Sequence, residues 1–173
     1  AFAVEFYKNG KLLRNKIKNH PRYPYHLLRE EMQEFILDKL QLLIERKLIK
    51  GIGENGTEYT VIAQILDLPK EILRLIQKFD FTKKNPKLIY INTGETMISL
   101  QDSILVTFLN LAGFDILFFV PTGYQSVENY CAEKLMEEHQ IGEYKYDMQV
   151  PDLNNISTNS TRPSWRRKLF RRG

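Results

Sequence analysis

The apolar positions along this chain follow two different periods. Residues 88–92 (LIYIN) and 115–120 (DILFFV) are short, dense apolar runs of the kind that parallel strands buried on both faces require. Between them, Leu100, Ile104, Leu105, Phe108, Leu111 and Ala112 recur at helical spacing and predict one apolar helix face. Ser99 stands where an N-cap is needed, Asp102 makes a near capping box with it, and Gly113 suits the position just past the helix end. After the second run, Pro121, Thr122 and Gly123 break the chain. A further helix is predicted from Gln125 or Ser126, with Val127 to His139 covering the sheet through Tyr130, Leu135 and Met136. Strand, helix, strand, helix is a βαβ unit with a right-handed crossover and one added helix. The fold class expected is therefore α/β, a Rossmann-like βαβα core with parallel strands, preceded by a helical region and followed by a disordered basic tail.

Upstream, the pattern divides into smaller pieces. FAVEFYKNGKLL carries Asn9-Gly10 between apolar residues and predicts either a hairpin or a strand feeding a basic loop. From Leu27 to about Ile49, Leu28, Met32, Phe35, Ile36, Leu40, Leu43 and Ile44 form a helical stripe opposite Arg29, Glu30, Glu34, Asp38 and Glu45. Residues 51–56 (GIGENG) match the dinucleotide-binding spacing G-x-G-x-x-G, but they follow a helix rather than a strand and read as a polar turn. Residues 57–81 read as a short helix, a break at Asp67, Leu68 and Pro69, and a second helix to about Lys78. That helix offers only Arg74, Gln77 and Lys78 as polar readers, so specific nucleic-acid recognition is not expected. Residues 143–148 alternate enough for an edge strand. The organisation expected is an N-terminal strand and basic loop (1–26), a helical region (27–81), an α/β unit (82–153) and a tail (154–173).

Charge alters this picture only at the end of the chain. The net charge is +4, yet six basic residues and no acidic one lie from Arg162 onward, leaving 19 basic against 21 acidic residues elsewhere. The tail, with Trp165, Arg166, Arg167, Lys168, Phe170, Arg171 and Arg172, is suited to contact with an anionic membrane surface or a polyanion. Residues 154–163 are Asn/Ser/Thr-rich and expected to be disordered. Two glycosylation-like patterns there, at Asn155 and Asn159, are read as chance in the absence of a visible secretion signal. Cys131 is the only cysteine, which excludes an internal disulfide, fits a reducing compartment and reads as packing. His20 and His26 flank Pro21 and Pro24 without a cysteine or clustered carboxylates, so no metal ligand is assigned. No run reaches membrane-spanning length. A start at Ala1 without methionine fits an internal segment of a longer chain.

Ligands of open α/β sheets bind beyond the carboxyl ends of the strands. Those ends carry Asn92, Thr93, Gly94 and Glu95 on one loop, and Thr122, Gly123, Tyr124, Gln125 and Ser126 on the other. The second loop is expected to enter a helix N-terminus, which favours an anion. Gly123 lets backbone approach a phosphate, Tyr124 suits stacking on a base or sugar, and Glu95 or Asp102 suits hydroxyls or a divalent cation. The simpler role of these residues is to cap a helix and make a turn.

The stretch KLIYINTGETMISLQDSILVTFLNLAGFDILFFVPTGYQSVENY resembles the C-terminal part of the Bacillus-type YceG family. The similarity extends upstream through EILRLIQKFDFT and downstream through HQIGEYKYDMQVPD. The resemblance implies a longer cytoplasmic bacterial protein, encoded in tellurite and toxic-anion resistance clusters and described as a component of a biosynthetic module. It implies the making or modifying of a small metabolite alongside other stress-cluster proteins, but supplies no catalytic residue and no cofactor. The strand-end loops add the expectation that the ligand is a small anionic metabolite, a nucleotide or a sugar nucleotide. A glycosyltransferase-like transferase fits by fold analogy alone. The alternative is a non-enzymatic scaffold docked on the inner membrane face through its tail.

Overall fold

A computed structural model describes residues 3–78, 85–95 and 97–149. The chain opens with a 3-10 turn, Ala3–Phe6, and a small antiparallel hairpin of β1 (Tyr7–Lys8) and β2 (Lys11–Leu12). Of the two N-terminal readings, the hairpin is the one that forms. Asn9 and Gly10 both take positive φ, 51° and 80°, as a two-residue turn matched to strand twist demands. Helices α1 (Arg14–Lys18), α2 (Glu30–Glu45), α3 (Thr57–Ile65) and α4 (Lys70–Lys78) follow. The polar turn at 51–56 leads from α2 to α3, and its Gly53 amide donates to the Glu58 carboxylate at 2.9 Å.

The α2 stripe is buried as its spacing requires. Ile36, Leu37, Leu40 and Leu43 are fully enclosed, and α2 packs with α3 and with α5 (Leu100–Leu111) around Val61, Ile62, Ile65, Ile104 and Phe108. A charged cluster joins α1 to α2: Arg14 bonds Glu34 at 2.7 Å and Asp38 at 2.6 Å, while Lys18 bonds both Glu30 and Glu34. Lys18 and Arg14 hold the Glu34 carboxyl below its ordinary value of 4.5. A depressed carboxylate pKa stabilises the fold above the unfolded value, and that stability is lost as pH falls through the lower folded value. Glu34→Gln is therefore expected to cost roughly 0.5–1 kcal/mol near neutrality for these part-exposed pairs. The Tm difference from the parent should shrink as pH falls below the ordinary carboxylate range, a scan that tests the sign directly.

Strands β3 (Lys87–Ile91) and β4 (Asp115–Phe119) pair in parallel, Lys87 opposite Asp115 through Ile91 opposite Phe119, with α5 as the connection. Ser99 caps α5, accepting from the Asp102 amide at 3.1 Å and donating to its carboxylate at 2.7 Å. Leu88 and Ile116 face the core side, and Tyr90 stacks on Phe118 at 4.7 Å between ring centroids.

Three expectations are corrected. The strands are not buried on both faces: Ile89, Ile91, Leu117 and Phe119 are 58, 44, 51 and 39 % exposed. No helix forms over 127–139. Its backbone is drawn elsewhere: Lys50 donates to the Tyr130 carbonyl at 2.8 Å, Ala132 to that of Leu48 at 2.9 Å, and Ile49 bridges Cys131. The Glu128 carboxylate takes the amides of Leu135 and Met136, the latter at 2.7 Å. Residues 143–148 form no strand; they are exposed, and Lys145 bonds only the turn carbonyl of Pro121, at 2.8 Å, among the described backbone pairs. The proposed linker at 81–86 falls mostly, and the tail wholly, outside the described residues.

Candidate functional site

The two loops expected at the strand carboxyl ends do lie side by side. The Asn92 amide donates to the Phe119 carbonyl at 2.9 Å, which carries the sheet pairing one residue past β3. Farther along, the Ile98 amide donates to Ser126 Oγ at 3.0 Å, tying the approach to α5 onto the second loop. Ser103 Oγ adds a tie between the loops, lying 3.1 Å from the Ser99 carbonyl and 3.3 Å from that of Val127. A βαβ connection makes this adjacency unavoidable, because both strands run the same way and end at the same edge.

Within the pair of loops, most of the named polar groups are committed to holding the backbone. Asn92 Oδ1 accepts from the Gly94 amide at 3.3 Å, an Asx-type turn. Thr122 Oγ1 accepts from the Tyr124 amide at 3.3 Å, and Gln125 Oε1 from that of Val127 at 2.7 Å. Gln125 Nε2 donates to Glu138 at 2.8 Å. Thr122 and Ser126 are buried at 8 and 1 % exposure. Ser126 therefore serves as an internal acceptor rather than as a donor to a ligand.

Gly123 also has a structural task. Its φ is +73°, and a Cβ there would meet the Tyr144 ring at 2.3 Å. The side on which a Cβ would stand is thus taken by an aromatic ring, while Gly123 itself stays exposed. With no helix beginning at Gln125 or Ser126, the dipole expected to attract an anion at this loop is missing as well. What remains accessible is Gly94, Glu95 and the half-buried Thr93 on the first loop, and Gly123 and Tyr124 on the second, Tyr124 being 43 % exposed. A carboxylate, a hydroxyl and a phenol ring are acceptors and stacking surfaces. They suit hydroxyl-bearing and ring-bearing ligands better than phosphate.

Two open hollows adjoin the second loop through Glu138, which lines both and accepts from Gln125. One, about 490 Å³, is lined by residues 134–139; the other, about 360 Å³, by Lys50, Glu128, Cys131, Ala132, Glu133, Lys134 and Glu138. The sequence reading passed over both because it assigned this segment to a helix. Cys131 is buried at the wall of the second, and burial pushes its thiol up, which keeps it protonated and fits its reading as packing. His20 accepts from the Arg22 amide at 3.1 Å, and His26 Nδ1 lies 2.9 Å from the Tyr23 carbonyl. Among the described residues, no helix is long and apolar enough to cross a membrane. Trp165, Arg166, Arg167, Lys168, Phe170, Arg171 and Arg172, on which the scaffold alternative depends, lie outside the described residues.

Comparison with known proteins points to a single family. The sequence model of the YceG domain matches residues 1–161. The uncharacterized protein YceG of Bacillus subtilis strain 168 is 31 % identical over 93 residues, which is 52 % of this chain and 17 % of that protein. No solved structure matches.

Proposed function

The chain belongs to the YceG domain family, and on that premise we propose that it supplies one wall of a small-ligand site at the carboxyl edge of a parallel sheet. The observation that carries this reading is the pairing of the two loops after β3 and β4, tied through Ile98 and Ser126, with Thr93, Glu95 and Tyr124 left accessible. The ligand class is a nucleotide or sugar nucleotide. Glu95 and Thr93 take its sugar hydroxyls, and Tyr124 stacks on its ring. The anionic end is held outside these loops, since no helix N-terminus opens there and the Tyr144 ring stands against one side of Gly123. A divalent cation accompanying the phosphates is compatible with this arrangement.

The matched stretch is 17 % of the Bacillus subtilis relative, so the reaction of the whole protein is proposed only by class. We assign it to a cytoplasmic biosynthetic step in tellurite and toxic-anion stress, following the family resemblance, with a transferase type following from fold analogy alone. A thermal-shift panel of UDP-glucose, ADP, ATP, adenosine and phosphate, each with and without magnesium, tests the site. A probe at about a hundred times its Kd is expected to stabilise by roughly 2.7 kcal/mol. Tyr124→Ala with Glu95→Gln should abolish that shift and leave the unliganded Tm within about a degree, because both side chains are exposed. A shift that persists in the double variant, or no shift with any probe, overturns the reading.

A further inference from the structure

The outer face of the β3–β4 pair is apolar and bare. Ile89, Ile91, Leu117 and Phe119 project from it, between 39 and 58 % exposed, while Leu88 and Ile116 pack against the core on the other side. Parallel sheets are stable when both faces are covered, and two strands alone make a marginal sheet. Beyond Lys87 and Asp115, which pair with each other at 2.8 Å at one end of the outer face, each strand is apolar at inward and outward positions alike, the pattern of a strand that meets a layer on both sides. Among the described residues, that second layer is absent from the outer face.

We propose that this face is the seat of an amphipathic helix from another α/β segment of the family-length polypeptide, so that β3 and β4 are part of a wider, doubly covered sheet. Two observations select this occupant. The Bacillus subtilis relative is roughly three times as long as this chain, since 93 aligned residues are 17 % of it. Its remaining length is ample for further βα units. The second observation is size. Two strands about 4.8 Å apart present a strip about as wide as one helix, roughly 10 Å across. The four side chains expose on the order of 400 Å², about half of the roughly 800 Å² per partner that a stable association of separate chains needs. An intrachain helix avoids the entropy of association and needs no such area.

The position is also compatible with the topology. The β3–α5–β4 crossover places α5 on the core side of the sheet, and a unit wound in the other direction from the same sheet puts its helix on the opposite side. The inference is independent of the ligand reading, because it concerns the face of the sheet and not its carboxyl edge.

Cysteine labelling without ligand tests it. In a Cys131→Ala background, Ile89→Cys and Leu117→Cys are compared with Leu27→Cys, a surface control that is 87 % exposed. All three should react rapidly with a maleimide in the 173-residue chain. In the family-length polypeptide, the two sheet positions are expected to slow by about tenfold or more while Leu27→Cys is unchanged. Hydrogen exchange across residues 115–119 of the unsubstituted proteins supplies a variant-free second reading, with slower exchange in the longer chain. Equal labelling in the two lengths overturns the proposal. So does protection already present in the 173-residue chain together with a dimer mass in sedimentation, which assigns the face to a second copy.

Discussion

Tyr25→Phe is expected to destabilise the protein by about 2–4 kcal/mol, although it removes a single oxygen atom. The Tyr25 hydroxyl donates to the Ile65 carbonyl at 2.5 Å and accepts from the Leu68 amide at 3.0 Å. It thereby satisfies the last carbonyl of α3 and the amide of the turn into α4. The residue is 1 % exposed, so no water replaces the lost partner easily. Phenylalanine would leave two buried backbone groups unpaired, each costing roughly 1–3 kcal/mol. The neighbouring ring is an internal control. Tyr23 packs edge-on against Tyr25 at 5.6 Å and is also buried, but its hydroxyl has no hydrogen-bond partner among the described residues. Burial pushes that phenol up to about 12, so it carries no charge at ordinary pH. Tyr23→Phe should be neutral or slightly stabilising. Urea titrations of the two variants should show the Tyr25 midpoint falling by roughly 1–2 M and the Tyr23 midpoint holding or rising. A Tyr25→Phe midpoint that holds as the Tyr23→Phe midpoint does would mean that ring contacts, not the hydroxyl bridge, join the helices.

Phe108→Ala is expected to cost about 3–5 kcal/mol, the range for removing a fully enclosed aromatic side chain. Phe108 is completely buried on α5 at the junction with α2 and α3. Its loss should loosen the element that sets the spacing between β3 and β4. The measurement is again a denaturant midpoint, supplemented by hydrogen exchange over 87–91 and 115–119. Exchange in both strands should rise together, because α5 links them and packs on one side of the pair. A rise confined to α5 would show that the sheet is held by other contacts.

Much of this architecture was legible in the chain before any coordinates. The helix from Leu100 to Leu111 is specified by apolar spacing, by Ser99 with Asp102 at its start and by Gly113 at its end, all of them local signals. The hairpin follows from Asn9 and Gly10, because their positive φ is a property of those two residues. The parallel order of β3 and β4 follows from two apolar runs with a helix between them. Residues 127–139 misled for a physical reason. Their local pattern suits a helix, but Glu128, Gln125 and the backbone around Leu48–Lys50 compete for the same amides and carbonyls. Contacts with residues 79 positions distant, such as Lys50 with Asn129, leave no trace in a local window.

The candidate site divides the same way. Its location was set by strand order, since loops after parallel strands must gather at one edge. Which of its polar groups are free was not readable from residue type. Ser126, Thr122 and Gln125 have the chemistry of ligand donors, yet each bonds the backbone beside it or across the loops. Gly123 has the signature of a phosphate loop but accommodates Tyr144. By itself, then, the sequence determined the helices α2 to α5, the parallel pairing of β3 and β4 and the edge where their loops gather, because each of these depends on neighbours in the chain. The hairpin was one of two readings, and the short helix α1 was read as a basic loop. Only the tertiary structure decided which donors are spent, that Glu95 and Tyr124 remain accessible, and that one sheet face is bare. Those outcomes depend on which distant groups arrive first at a shared hydrogen-bond partner or a shared surface.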